Sequence, residues 1–356
     1  MDRKRILTAL VIVALGTLFY LQFRSWRHFD WATFWAETHR IRWRHIVHGV
    51  ALIYLAYVLR AFRWKVFLRP VRPSSSALAL VGPTIIGFTG LALLGRPGEL
   101  IRPYLIARHE NLPFSSQMAC WAVERIFDVG AFTLLMVFAI FLPTTELHLL
   151  RPEMYDRVRT AGFMLTGLVL ALSAATLLVS RFGDGIAVWA EKRFAHLASN
   201  LGHKIALRVR EFRAGLNTIH GPAAFLQLVV LSLAMWWIIA IAYKEVTHAY
   251  GTQLEHMTES KVLLLMGSSM VGSMLQLPGV GGGSQLATIA ALEHIFHVPH
   301  ELAASCGILL WLVTFVAVVP LGLFLAHRER LSLRKLSQES AQQEGVGIST
   351  LDPPAT

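Results

Sequence analysis

Stretches of apolar residues long enough to cross a lipid bilayer constrain this chain more than any other feature. A bilayer's hydrocarbon core is about 30 Å thick, so a crossing helix needs roughly 17–25 mostly apolar residues. Six stretches meet or nearly meet this condition, at about residues 6–22, 46–68, 116–142, 162–180, 222–243 and 301–326. The sequence therefore predicts an all-α membrane protein with about six transmembrane helices and no appended soluble catalytic domain.

Composition and charge agree with lipid as the solvent. The chain is 54% hydrophobic and 15% charged, whereas soluble proteins are about 45–50% apolar and 25% charged. The formal net charge of +11 marks cytoplasmic loops facing anionic lipid more simply than it marks a nucleic-acid partner, which we do not expect. Cys120 and Cys306 both lie in apolar segments and predict neither a disulfide framework nor a metal site.

Two further apolar stretches, 77–94 and 262–277, are interrupted or followed by clusters of glycine and proline. Such backbone is tolerated inside a membrane only where protein or a cavity covers it, which favours re-entrant hairpins. With both hairpins and a cytoplasmic N-terminus, 22 of the 33 Lys and Arg residues face the cytoplasm and 10 face outside. A full crossing by 77–94 would place the basic segment 181–220 outside, against the positive-inside rule. We therefore expect a multi-pass protein of the inner (plasma) membrane with both termini cytoplasmic.

The predicted elements occur in the same order twice, as two spans, a hairpin and another span. The half-repeats, about 1–145 and 160–327, lie within a single membrane domain, 1–330, before a disordered cytoplasmic tail at 331–356. An offset of 186 residues also aligns Cys120 with Cys306. Because each half crosses three times, the second half would be inverted relative to the first, an arrangement typical of transporters.

Charged residues occur where lipid should exclude them. Three charged residues, Arg96, Glu99 and Arg102, follow one another at intervals of three residues around the tip of the first hairpin. Three more lie within the span 116–142: Glu124, Arg125 and Asp128. Ionisable groups at that depth face the protein interior and pair, and three bases can neutralise three acids. Two interpretations stay open: a structural ion cluster, or a polar path for a charged headgroup in which an arginine exchanges partners with a phosphate.

A glycine-rich turn precedes a second short helix, predicted to begin at Ser284. Its residues are Pro278, Gly279, Gly281, Gly282, Gly283, Ser284 and Gln285. Free N–H groups at a buried helix N-terminus suit an anion, although the glycines also allow two helices to approach closely. No lysine follows the run as in a Walker P-loop, and the nearby His294 and His297 fit no standard zinc spacing. We expect no cofactor and no metal.

Two surface segments have amphipathic composition. Residues 183–219 predict a basic amphipathic helix on the cytoplasmic surface, and the Trp- and Arg-rich loop 23–45 predicts an interfacial helix.

Three short motifs, in this order and spacing, resemble the lysylphosphatidylglycerol synthase transmembrane-region family, a flippase-like family. Residues 96–102 resemble its RxGExxR-type motif, 124–128 its following ER-x-x-D element, and 277–283 its late Pro-Gly-Gly segment. The resemblance covers about residues 1–330 and implies the lipid-translocating part without the aminoacyl-transferase domain. Relatives usually carry a glutamate where this chain has Gln285, so a role of that acid would be altered here.

The sequence thus predicts a flippase or translocase for an anionic phospholipid or a lipid-linked headgroup, with membrane lipids as its partners. The alternative is a non-transporting scaffold that binds lipid- or glycan-synthesis enzymes. A membrane-embedded transferase would need a catalytic base, for which Glu99 is the one attractive candidate. No catalytic motif supports an enzyme.

Overall fold

The computed structural model describes residues 29–141 and 221–329, apart from 252–253 and 274–281, with scattered positions between 156 and 189 and residue 339. All regular structure within these residues is helical. The helices of the first part are α1 (Trp31–His39), α2 (Trp43–Leu68), α3 (Val81–Leu94), a 3-10 turn (Arg96–Leu100), α4 (Ile101–Glu110) and α5 (Phe114–Phe141). Those of the second part are α6 (Gly221–His248), α7 (Glu259–Gly272), α8 (Gly282–His294), α9 (His300–Trp311), a π-helical segment (Leu312–Val316) and α10 (Val318–Arg328).

Three helical stretches are long and apolar enough to cross a membrane: Trp43–Leu68, Pro222–His248 and the continuous run His300–Arg328. They confirm helices at three of the predicted spans and identify an α-helical membrane protein. Helix α5 is also long, at 28 residues, but it carries the charged residues of the 124–128 motif. The predicted span 6–22 lies outside the described residues, as do most of 162–180, most of the amphipathic segment 183–219 and nearly all of the tail.

Helices α3 and α4 form an antiparallel pair that reverses at Gly95. The φ angle of Gly95 is +69°, a conformation that glycine adopts without strain. Beyond this turn, Gly98 lies so close to Gly90 that a Cβ on Gly98 would overlap the Gly90 carbonyl group. With 14 residues, α3 is only about 21 Å long. It is therefore too short to cross the hydrocarbon core alone.

Helices α7 and α8 form a second pair of short helices, of 14 and 13 residues. Gly272 of α7 packs against the backbone of Gly283 and the side chain of Ala287. Helix α8 begins at Gly282, so the prediction that it opens at Ser284 was wrong. Ser284 is buried inside the first turn, where its carbonyl oxygen accepts a hydrogen bond of 2.7 Å from the Thr288 hydroxyl.

Two pairs of residues have matching features in the two parts of the chain. Asn111 and His297 have φ angles of 54° and 55° and, among the described residues, are the two non-glycine positions with positive φ. They are separated by the same 186 residues as Cys120 and Cys306, which are both buried. Asn111 and His297 each follow the second helix of a short pair, α4 and α8, and precede the next helix, α5 and α9. Both pairs have the offset that the predicted internal repeat gives, and the repeat itself stays a prediction.

The two parts meet along α2 and α6, where Gly49 brings the helices close. A Cβ on Gly49 would stand 3.3 Å from the Val246 side chain. Helix α1 lies within the segment predicted to be interfacial. Its Trp31 and Trp35 are about half exposed, at 49% and 53%, as expected of aromatic side chains at a membrane surface.

Candidate functional site

A fully buried arginine that the sequence did not single out lies at the centre of an ion cluster. Arg63 of α2 donates hydrogen bonds of 2.6 Å from Nη2 to Glu124 Oε1 and from Nη1 to Asp128 Oδ1. Its Nη1 also donates to the Ser232 hydroxyl of α6, at 3.0 Å. These bonds join α2, α5 and α6 in the protein interior.

Arg102 of α4 completes the cluster from the first hairpin. Both of its terminal nitrogens donate to Glu124, and the Nη1–Oε1 distance is 3.0 Å. Its guanidinium carbon lies 4.5 Å from the centre of the Trp64 ring, a cation–π contact. Asp128 accepts a further hydrogen bond from the Trp236 indole nitrogen at 3.3 Å.

We call these four charged residues the buried quartet: Arg63, Arg102, Glu124 and Asp128. Their exposed fractions are at most 4%, and two positive charges balance two negative ones. Buried charges are tolerated when paired and hydrogen-bonded, and the removal of one partner is strongly destabilising. For the predicted residues Arg102, Glu124 and Asp128, the geometry therefore favours the structural interpretation.

A cavity of about 800 Å³ lies between the two parts of the chain, beside the buried quartet. Helices from both parts and the π-helical segment line it. Among the described residues, the lining side chains are mainly apolar and aromatic, including Phe88, Leu91, Trp121, Ile239 and Met266. A site with these walls and a few polar groups suits a ligand that is apolar over most of its surface.

Two arginines on the cavity wall have weaker contacts than those of the quartet. Arg125 lies 3.5 Å from Glu124 and 3.4 Å from Asp128, and 42% of its side chain is exposed. Arg60 makes cation–π contacts with Phe88 and Tyr57, at 4.7 and 5.5 Å. The Nε atoms of Arg60 and Arg125, like that of Arg63 in the buried quartet, are buried without a hydrogen-bond partner.

Arg96 and Glu99, both in the 3-10 turn, also line the cavity. The charged lining residues within the described chain are thus three arginines and one glutamate, with a formal sum of +2. The sequence prediction that three bases neutralise three acids was therefore incomplete. Arg60 and Arg63, one turn apart on α2, add two positive charges to the region.

The sequence missed these two arginines because they lie near the end of a predicted span. The predicted span 46–68 ends within a few residues of both, and the positive-inside rule favours basic residues at a cytoplasmic helix end. The available signal was a spacing of three residues within an apolar helix, which places Arg60 and Arg63 on one face.

The opposite wall of the cavity carries neutral hydroxyl groups. Tyr243 donates a hydrogen bond of 2.9 Å to the Ser269 hydroxyl. Thr314, on the π-helical segment, lines the same wall. Tyr54 supports this segment by donating to the Ala317 carbonyl at 2.7 Å. π-helical turns occur often at functional sites, because they shift the side chains that follow.

The predicted tip of the second hairpin does not contribute to this cavity where it is described. Gly282, Gly283, Ser284 and Gln285 are absent from the lining, and Gly283 provides the close approach to α7 instead. Pro278, Gly279 and Gly281 lie outside the described residues. In the described chain, no group of three or more His, Cys, Asp or Glu side chains is arranged to hold a metal.

Comparisons with known proteins agree with the motifs. The family model described as Lysylphosphatidylglycerol synthase TM region matches residues 6–322. The chain is also similar to a protein of Haloferax volcanii named Glycosyltransferase AglD, with 28% identity over 270 residues. That similarity covers 69% of this chain and 42% of the relative, so the chain spans less than half of the relative's length. No solved structure matches the chain.

Proposed function

Because the chain belongs to the lysylphosphatidylglycerol synthase TM region family, we propose that it moves a lipid with an anionic headgroup between the two leaflets of a membrane. The observation that carries this proposal is the cavity between the two parts of the chain. Its walls are mainly apolar, as acyl or polyprenyl chains require, and its charged lining sums to +2. Three arginines against one glutamate on the cavity wall suit an anionic headgroup.

The proposal includes an arrangement in the cell membrane. The chain crosses six times, with two re-entrant hairpins, an inverted repeat in the single domain 1–330, and both termini cytoplasmic. The short helices α3 and α7 support this arrangement, because 14 residues give only about 21 Å of helix. In transporters with inverted repeats, interrupted helices meet near the midplane and form the substrate site.

Within this arrangement the charged residues have different roles. The buried quartet fixes α4 of the first hairpin to α2 and α5, and so holds one wall of the cavity in place. Arg60 and Arg125 face the space where a headgroup would pass. The sequence contains no nucleotide-binding motif, so we assign the driving force to an ion gradient or to mass action of the lipid itself.

The function is tested by narrowing the cavity. Leu91 of α3 lines it, whereas Leu93 of the same helix is an exposed residue outside its lining. In liposomes containing a fluorescent anionic lipid, Leu91→Trp should slow exchange between leaflets, and Leu93→Trp should exchange lipid like the unmodified protein. Equal rates for all three proteins would exclude this cavity as the path.

A second candidate, a non-transporting scaffold of a lipid- or glycan-synthesis complex, is favoured by the relative named as a glycosyltransferase. Its aligned segment is 42% of that protein, which fits a membrane unit that works beside a catalytic one. A scaffold would show no lipid exchange in liposomes and would co-purify with a synthetic enzyme. Lipid exchange by the purified chain alone would exclude this role as its sole function.

A further inference from the structure

The charge distribution around the cavity leaves two arginines without a dedicated carboxylate. In the buried quartet, Glu124 and Asp128 accept the short hydrogen bonds from Arg63 and Arg102. Arg60 forms no ion pair among the described residues. Arg125 only approaches the same two carboxylates, at 3.4–3.5 Å.

Both of these side chains lie on the cavity wall. The exposed fraction of the Arg125 side chain, 42%, also far exceeds those of the buried quartet. The aromatic rings of Tyr57 and Phe88 lie beside the Arg60 guanidinium and hold it at the wall. A planar guanidinium that is already positioned suits the bidentate recognition of phosphate oxygens.

From this arrangement we propose that Arg60 and Arg125 form a binding site for a dianionic phosphomonoester, carried by a lipid. The lining charge of +2 is neutralised by a dianion, whereas a phosphodiester leaves one positive charge uncompensated and a zwitterionic headgroup leaves both. The apolar walls favour a lipid phosphate over a free phosphate ion. Transport of this substrate class rests on the proposed function, whereas its binding is measured independently of transport.

The charge of a lipid phosphate changes with pH, so pH tests whether binding depends on a dianion that neutralises the lining charge. A phosphomonoester gains its second negative charge with a pKa of about 6, whereas a phosphodiester stays monoanionic. The other charged or titratable side chains that face the cavity are Tyr57, Arg96, Glu99 and Tyr243. None of the described lining residues is a histidine, the residue type that ordinarily changes charge between pH 5 and 8.

The experiment compares two lipids with identical acyl chains, phosphatidic acid and phosphatidylglycerol, binding to the purified full chain in detergent. At pH 8 we expect the protein to bind phosphatidic acid at least about tenfold more tightly, as an added charge-assisted hydrogen bond allows. At pH 5 this preference should fall to near parity. Equal binding of the two lipids at pH 8, or a preference that does not change with pH, would overturn the proposal.

Two variants and one competitor locate the site. Arg60→Gln should lose the preference for phosphatidic acid, whereas Arg69→Gln, which removes the same charge at an exposed position just after α2, should keep it. The same loss in both variants would refute the site. If inorganic phosphate displaces phosphatidic acid, the site recognises the phosphate group alone. If inorganic phosphate does not displace it and the preference over phosphatidylglycerol remains, the site recognises the phosphate group and the acyl chains together.

The binding site and the proposed transport function can be refuted independently of each other. Phosphatidic acid bound with the expected preference, but not exchanged between leaflets, would overturn the proposed function and leave the binding site standing. Exchange of anionic lipids without any preference for a phosphomonoester would overturn the site and leave the proposed function standing.

Discussion

Replacing two arginines one turn apart on α2 should have very different consequences for stability. Arg63→Met removes two hydrogen bonds of 2.6 Å to buried carboxylates. Glu124 keeps Arg102 as a partner, but Asp128 keeps only the longer contacts with the Trp236 indole and with Arg125, at 3.3 and 3.4 Å. A buried carboxylate is thereby left largely uncompensated.

The magnitude follows from that loss. Breaking one side of a buried ion pair costs about 3–5 kcal/mol, which lowers the midpoint of thermal unfolding by roughly 4–7 °C in a chain of 356 residues. Arg60→Met removes a guanidinium that has no ion pair among the described residues. Its lost cation–π contacts, about 0.5–2 kcal/mol, are offset because an unpaired charge no longer has to be desolvated, so we expect little change.

The assay is thermal unfolding of the purified protein in detergent micelles, followed by the fluorescence of its 10 tryptophans. A double variant, Arg63→Met with Asp128→Leu, should recover much of the loss, because both members of the pair become apolar. The reasoning is refuted if Arg60→Met destabilises as much as Arg63→Met. It also fails if the double variant loses the sum of the two single losses.

Two further predictions concern the first hairpin and the π-helical segment. Gly98→Ala should lower the unfolding midpoint because its Cβ would overlap a carbonyl group across the hairpin, whereas Gly130→Ala, with nothing within 4 Å, should leave it unchanged or raise it; equal midpoints would contradict the close packing. Tyr54→Phe should cost about 0.5–1.5 kcal/mol, because the Ala317 carbonyl loses its hydroxyl donor; an unchanged denaturant midpoint would show that water replaces it.

The fold was predictable where local composition decides it. Long apolar runs predicted the helices at 46–68, 222–243 and 301–326, and glycine with proline predicted the reversal at Gly95. Asn111 and His297, which share a positive φ angle, are separated by the predicted offset of 186 residues. These features depend on residues close together in the sequence, or on a pattern repeated along it.

The candidate site was predictable only in part, because its partners come from distant helices. The sequence placed Arg102, Glu124 and Asp128 in one region but gave no reason to join them to Arg63, which lies 61 and 65 positions before the two acids. Whether a charge near a helix end faces water or the interior depends on tertiary packing. Periodicity alone does not encode that choice, and the division between the buried quartet and the cavity arginines followed only from the structure.

Lipid exchange by the purified chain tests the central claim most directly. Fluorescent phosphatidic acid is placed in both leaflets of protein-containing liposomes, and a membrane-impermeant reductant is added outside. If the protein moves this lipid, the inner-leaflet fluorescence is also lost, and Leu91→Trp slows that second phase. If only the outer-leaflet fluorescence is lost, as in protein-free liposomes, the chain alone does not move this lipid and the claim is contradicted.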